Sequence, residues 1–376
     1  PPRDGFPPSG ASDVPLPRKW TVMVYSAADN NLASFMYSDL DEAERVGSDD
    51  NTAMIAQFDR GASEGCKRLY LTKDAQVGKL NSPVVEDMGK NVDMASARTL
   101  SEFVQWGMKN YPAEHYFLVI SDHGDGWKGC VEDDSAGTWM KLPTVGEGLA
   151  DAQKATGKKI DVLGFDACLM ASTEVAHQLK DAASYLVASE ETEGGAGWPY
   201  TNVLTEQTLG QMQHMLSQRI NLTPRDLATH VVNSASTVSG DLPTMAAIDL
   251  SKSPVLTQAV DQLGQAILDS KMSMSPMRSL AKSTQGFYEY KDLYDFADRI
   301  TKSDKITDKA ITAAAEGVKQ AIGETVFAEE HSKRYPGAHG ITIELGKPSA
   351  YGEIAFAKDT HWGAAMKKMN RWWGEQ

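Results

Sequence analysis

Two runs near the middle of the chain, YFLVI (Tyr116–Ile120) and IDVLGF (Ile160–Phe165), are apolar almost without interruption, and this constrains the fold more than any other feature. A strand with one wet face alternates apolar and polar residues. A strand that does not alternate is covered on both sides, as in a parallel sheet between two layers of helices. Further strand candidates are Trp20–Tyr25, Thr52–Phe58, Arg68–Leu71, Ser184–Ser189 and Thr244–Asp249. Stretches of helical period separate them: Asn31–Val46, Asp93–Asn110, Thr144–Ala155, Leu169–Lys180 and Thr223–Val238. The alternation predicts an α/β fold with an open, mostly parallel central sheet. After about Leu250 the pattern turns helix-rich, until apolar alternation returns at Gly340–Leu345. The expected division is a Pro-rich tether over 1–19, an α/β domain over 20–250 and a helix-rich C-terminal subdomain over 251–376, whose last strand rejoins the sheet.

Composition removes several function classes. The chain has 376 residues, with 37 Lys+Arg against 51 Asp+Glu, a net charge of −14. An acidic total without a basic block argues against binding nucleic acid, which rests on neutralising phosphates. No apolar run approaches the ~18 residues of a membrane-spanning helix. Neither a G-x-G-x-x-G after a strand nor a P-loop lysine motif is present, so a nucleotide-binding domain lacks support. Residues 1–19 hold Pro1, Pro2, Pro7, Pro8, Pro15 and Pro17, which favour extended solvated backbone. They read as a spacer between the folded body and an export signal or membrane anchor, or as a disordered end.

In a parallel sheet the strand C-termini open on one edge, where ligands bind. There the run His115–Ser121 leads into Asp122-His123-Gly124-Asp125-Gly126, and Ile160–Phe165 leads into Asp166-Ala167-Cys168-Leu169-Met170. A histidine and a cysteine thus reach the same edge. If the helix starts near Leu169, its peptide dipoles lower the Cys168 pKa and favour the thiolate nucleophile. His123 is then placed to protonate a leaving amine, and the N–H groups of Gly124 and Cys168 are candidates for an oxyanion hole. Cys130 is the rival nucleophile, in a loop with no helix to polarise it. Cys66 reads as inert, with a Cys66–Cys130 disulfide left open. The remaining histidines show no zinc spacing with cysteine.

A hydrophobic strand ending in His-Gly, followed roughly 45 residues later by one ending in Ala-Cys, resembles the caspase-like cysteine peptidases. Asp-Ala-Cys-Leu-Met, with Asp-His-Gly-Asp-Gly-Trp upstream and the opening WTVMVYSAADNNL, is similar to the clostripain family. The resemblance spans roughly Trp20 to Trp198. It implies a caspase-like fold and a thiol peptidase that cleaves after Arg or Lys by a Cys-His dyad. It also implies that Asp166 selects the basic side chain. The period of two along the strand agrees, pointing Asp166 and Cys168 to one side; the alternative is that Asp166 caps the following helix. Glu190–Trp198 is expected to wall the cleft, with Trp198 against the substrate's aliphatic stem or packed beneath the loop.

The resemblance further implies a zymogen that cleaves itself between His123 and Cys168. Lys128, Lys141, Lys154, Lys158 and Lys159 lie there, and Lys141 is favoured in the exposed-looking stretch Gly137–Pro143. No cofactor is needed for the chemistry. Calcium is a suspected ligand, because relatives respond to it and Asp29, Asp122, Asp125, Glu132, Asp133 and Asp134 offer oxygen donors, without EF-hand spacing. The expected protein is a monomeric bacterial enzyme, secreted or tethered outside the cytoplasm, acting on protein and peptide substrates. A catalytically idle scaffold or binding module of the same fold is the alternative.

Overall fold

A computed structural model describes residues 18–200, 203, 222–236, 242–346 and 349–370. The expected tether falls almost wholly outside them. In chain order the strands are β1 (Arg18–Ala27), β2 (Thr52–Asp59), β3 (Cys66–Tyr70), β4 (Val84–Gly89), β5 (Ala113–Ser121), β6 (Cys130–Asp133) and β7 (Thr138–Met140). They continue with β8 (Ile160–Asp166), β9 (Ala183–Ala188), β10 (Thr244–Asp249), β11 (Gly286–Phe287), β12 (Tyr290–Asp292), β13 (Val326–His331) and β14 (Thr342–Glu344). Nine of them form one sheet in the order β13-β10-β9-β8-β5-β1-β2-β3-β4. The five central strands, β9-β8-β5-β1-β2, are parallel, and antiparallel strands flank them on both sides.

The unbroken apolar runs have the cause expected of them. Along β5, Leu118 and Ile120 enter one apolar cluster while Phe117 and Val119 enter another, so both faces of the strand are packed. The first cluster includes Leu100 and Phe103 of α3 (Ala97–Asn110); the second includes Met36 and Leu40 of α1 (Ala33–Val46). The first also runs on into the C-terminal helices through Leu256, Phe296 and Trp362. The apolar core is therefore continuous across the boundary read near residue 250.

Two expectations need correction. The strand within Gly340–Leu345 does not rejoin the main sheet. β14 pairs with β12 in a small three-stranded sheet and bridges Ser172 through Thr342, whereas the preceding β13 joins the main sheet beside β10. A ladder at the sheet edge and an isolated bridge to the turn after β8 then hold the C-terminal segment. Secondly, the helix read from Leu169 begins only at Thr173, because the Ser172 hydroxyl accepts the Val175 N–H at 3.2 Å and fixes the N-cap there.

Candidate active site

Registry levels the ends of three central strands. Ser26 of β1 faces Ser121 of β5, and Ser121 faces Asp166 of β8, so the residues just past them emerge side by side. After β8 the chain makes an irregular turn over 167–172 before α5 (Thr173–Leu179). Leu169 takes a left-handed conformation at φ 65°, a state that costs a non-glycine residue about 1–3 kcal/mol unless its surroundings enforce it. Here they do. The Leu169 N–H donates to Glu191 O at 3.2 Å, the Ala171 N–H donates to Ser189 O at 2.9 Å, and Ala171 O accepts the Thr342 N–H at 2.9 Å. The C-terminal strand β14 thereby braces the turn that carries Cys168.

This geometry overturns the proposed source of thiol activation. Cys168 lies five residues before α5, beyond the first turn over which a helix dipole acts. Burial pushes its thiol pKa up, opposed by a hydrogen bond that Sγ accepts from the Glu193 N–H at 3.3 Å. The thiol also donates to Glu193 O at 3.8 Å, so the backbone of the loop after β9 caps the sulfur. A thiol held in this way alkylates through a small thiolate fraction. Iodoacetamide modification of Cys168 is therefore expected to accelerate about tenfold per pH unit between roughly pH 6 and 8. A rate that is flat across that range would show an ion-paired thiolate instead.

His123 follows β5 and is positioned through its neighbours. The buried Asp122 carboxylate accepts the His123 N–H at 2.6 Å, the Glu132 N–H at 2.6 Å and the Asn30 amide at 2.7 Å, clipping the histidine loop to β6 and to the end of β1. Its pKa stands well above the usual carboxylate range because of burial, opposed by those hydrogen bonds. The imidazole Nε2 lies 2.7 Å from Asn31 Oδ1. An amide oxygen only accepts, so Nε2 carries a proton in this arrangement and Nδ1 is left for proton exchange. In this state the imidazole and the thiol each have another partner. Catalytic hydrogen bonds commonly form only when substrate binds.

Both side chains line one cavity of about 210 Å³ together with Asp166, Leu32, and Phe35 and Met36 of α1. Asp166 does not cap a helix. Its Oδ1 accepts the Trp198 N–H at 3.0 Å, and its Oδ2 accepts the hydroxyls of Tyr200 at 3.0 Å and Ser121 at 3.3 Å. Burial raises its pKa against those bonds. Trp198 does not line this cavity. Its ring is wholly buried above Gly164, and it is the main-chain N–H that reaches the site. Gly124 is needed for close approach, since a Cβ there would come 2.5 Å from Cys168 O and 3.1 Å from Cys168 N. The bridge from Gly124 to Cys130 uses the Asp125 N–H and the His123 carbonyl, so the Gly124 N–H stands outside it.

The other expectations resolve as follows. All three cysteines are free thiols, and Cys66 and Cys130 are fully buried with their thiols pushed far up by burial, so Cys130 is no rival nucleophile. Asp122 and Asp133 spend their oxygens on backbone N–H groups, Asp133 on those of Met94 and Ala136, and Asp29 accepts the Ser135 N–H. Among the described residues no three His, Cys, Asp or Glu side chains are arranged to hold a metal. Lys141 is exposed, but the stretch around it is not a free loop. β7 ends at Met140, α4 (Leu142–Thr156) starts at Leu142, and the Leu142 side chain is fully buried.

Sequence reading missed Asn31 and Asp39, and named Glu193 only as part of the loop expected to wall the cleft. The Asn30-Asn31 pair directly after β1 was a usable signal, because it stands at the same sheet edge as His123.

A family model for the clostripain family matches residues 24–361. The chain belongs to the clostripain family. It is therefore a cysteine-type peptidase, and its sheet and flanking helices form the caspase-like fold of that family. Clostripain from Hathewaya histolytica is 23% identical over 394 residues, covering 87% of this chain and 74% of that protein. A secreted C11 cysteine protease from Bacteroides thetaiotaomicron, solved with an irreversible peptide inhibitor, superposes with a TM-score of 0.69 at 20% identity, over 93% of this chain and 99% of that one. An inactive zymogen C11 protease from Parabacteroides distasonis gives 0.67 at 18% identity, over 92% and 99%. Among the described residues no helix is long and apolar enough to cross a membrane.

Proposed function

We propose that this clostripain-family peptidase cleaves peptide bonds after Arg or Lys, with Cys168 as nucleophile, His123 as general acid and base, and Asp166 as selector of the basic side chain. The observation that carries the reading is the 210 Å³ cavity, into which adjacent parallel strands deliver His123, Cys168 and a buried carboxylate together. Substrate backbone takes the place that Glu193 holds over Sγ. The sulfur attacks the scissile carbonyl as its proton passes to His123 Nδ1, and the oxyanion faces the N–H groups of Gly124 and Cys168. Collapse breaks the C–N bond, and the amine leaves with the imidazolium proton. Water, deprotonated by the same imidazole, then hydrolyses the thioester and restores the thiol. Asn31 holds the ring's orientation throughout. Fluorogenic peptides differing only in the residue before the scissile bond test the reading: turnover confined to Arg and Lys supports it, and a preference for acidic or apolar residues overturns it.

Self-processing belongs to the same reading and is assigned to Lys141. Because Leu142 is buried, cutting there requires the first turn of α4 to open, so the reaction is slow. Wild type is expected to accumulate two fragments on long incubation while Cys168→Ala stays intact. A single band in both removes this step.

A further inference from the structure

We propose that Asp39, on the inner face of α1, is a second specificity-determining carboxylate, and that it receives the part of an Arg guanidinium which Asp166 cannot. The inference rests on the basic specificity proposed above and assigns its chemistry to a residue outside the Asp-Ala-Cys turn.

Acceptor capacity limits what Asp166 can hold. A carboxylate offers about four lone-pair positions, two on each oxygen. In Asp166 three are occupied, one on Oδ1 by the Trp198 N–H and two on Oδ2 by the Tyr200 and Ser121 hydroxyls. The Glu193 carboxyl also lies against it, so the residue that anchors the pocket is left with at most about one free position. A guanidinium brings five N–H donors in a fixed plane, and each donor buried without an acceptor is costly. Asp166 alone does not satisfy it.

Asp39 is buried, lines the same cavity, and approaches from the opposite element. The two carboxyls converge at Gly197. The position a Cβ would take on that residue lies 3.1 and 3.2 Å from the two Asp166 oxygens and 3.2 Å from Asp39 Oδ2. A side chain there would crowd both carboxyls, so the glycine is what lets the two acids approach each other from opposite walls. A second observation also points to a missing cation. Both carboxyl oxygens of Glu193 are buried in this cavity without a well-formed hydrogen bond, facing only the Asp166 carboxyl and the Trp198 side chain. Four acidic residues, Asp39, Asp122, Asp166 and Glu193, therefore line a cavity bounded, among the described residues, by no Lys or Arg. Burial and the Asp166 charge push the Asp39 pKa up to about 10, the behaviour of an acid whose counter-charge arrives only with a ligand.

The test compares wild type, Asp39→Asn and Asp39→Ser on peptides carrying Arg, Lys or citrulline, the neutral isostere of Arg, before the scissile bond. For Asp39→Asn, kcat/KM on the Arg peptide is expected to fall roughly 10- to 100-fold, mostly through KM. A smaller fall is expected for Lys, whose ammonium has fewer donors to satisfy. Turnover of the citrulline peptide, which brings fewer N–H donors and no charge, should fall by less than about threefold and the alkylation rate of Cys168 should hold, which a merely structural role of Asp39 would not allow. The Ser variant carries a small neutral side chain and supplies the same comparison should the Asn variant fold poorly. Wild-type preference for Arg with an unaltered Arg-to-Lys ratio in both variants overturns the assignment of Asp39 alone. Wild type that ignores Arg and Lys peptides while cleaving others overturns the basic-specificity reading beneath it.

Discussion

Cys168→Ala is expected to abolish peptide hydrolysis, with kcat falling on the order of 10⁵-fold or more while the fold stays intact. The size follows from covalent catalysis, since among the described residues no other thiol reaches this cavity, and the Ser121 hydroxyl there is tied to Asp166. Cys130 is shut in the core, and Cys66 lies on β3, far along the sheet. The fold should tolerate the change, because Sγ contributes only weak sulfur bonds to Glu193, whereas the turn is held by main-chain bonds to Ser189, Glu191 and Thr342. His123→Ala should be nearly as damaging, and the double variant little worse than either single one, because the two groups act as a unit. The measurement is initial-rate hydrolysis of an Arg peptide with thermal melting recorded alongside. Residual turnover above about 1% of wild type would move the nucleophile elsewhere.

What the sequence reveals here depends on how local the cause is. The central strands and the His123 and Cys168 addresses were legible because burial on both faces writes unbroken apolar runs, and parallel order places everything after those runs on one edge. The activation mechanism was not legible. Ser172-Thr173-Glu174 is a better N-cap signature than anything at Cys168, but an apolar periodicity starting at Leu169 masked it. Lys141 misled for a related reason. Gly137 and Pro143 suggested a free loop, yet Pro143 sits in the first turn of α4, where proline fits well. Trp198 was read for its ring, and the fold uses its N–H. Asp39 was invisible because it lies on α1, more than 120 residues from Asp166, and only the packing of α1 on the sheet unites them.

Asp166→Asn should lower kcat/KM toward Arg and Lys peptides by roughly 30- to 1000-fold, the cost of truncating one partner of a buried charge pair. The substitution keeps the shape of the site. Its amide oxygen can turn toward the Trp198 N–H, which only donates, while its NH₂ meets the Tyr200 and Ser121 hydroxyls, which can rotate to accept. Stability should therefore change little. Losing an acid whose pKa burial already raises also removes an unfavourable charge. The loss should be selective, because the citrulline peptide offers no cation to Asp166, and its kcat/KM should hold within about threefold while the ratio of Arg to citrulline collapses. Alkylation of Cys168 in the variant reports separately on the nucleophile: removal of a nearby negative charge that raises the thiol pKa should speed the reaction slightly. A variant that loses Arg and citrulline turnover in equal measure would mean that Asp166 supports the Cys168 turn and selects nothing.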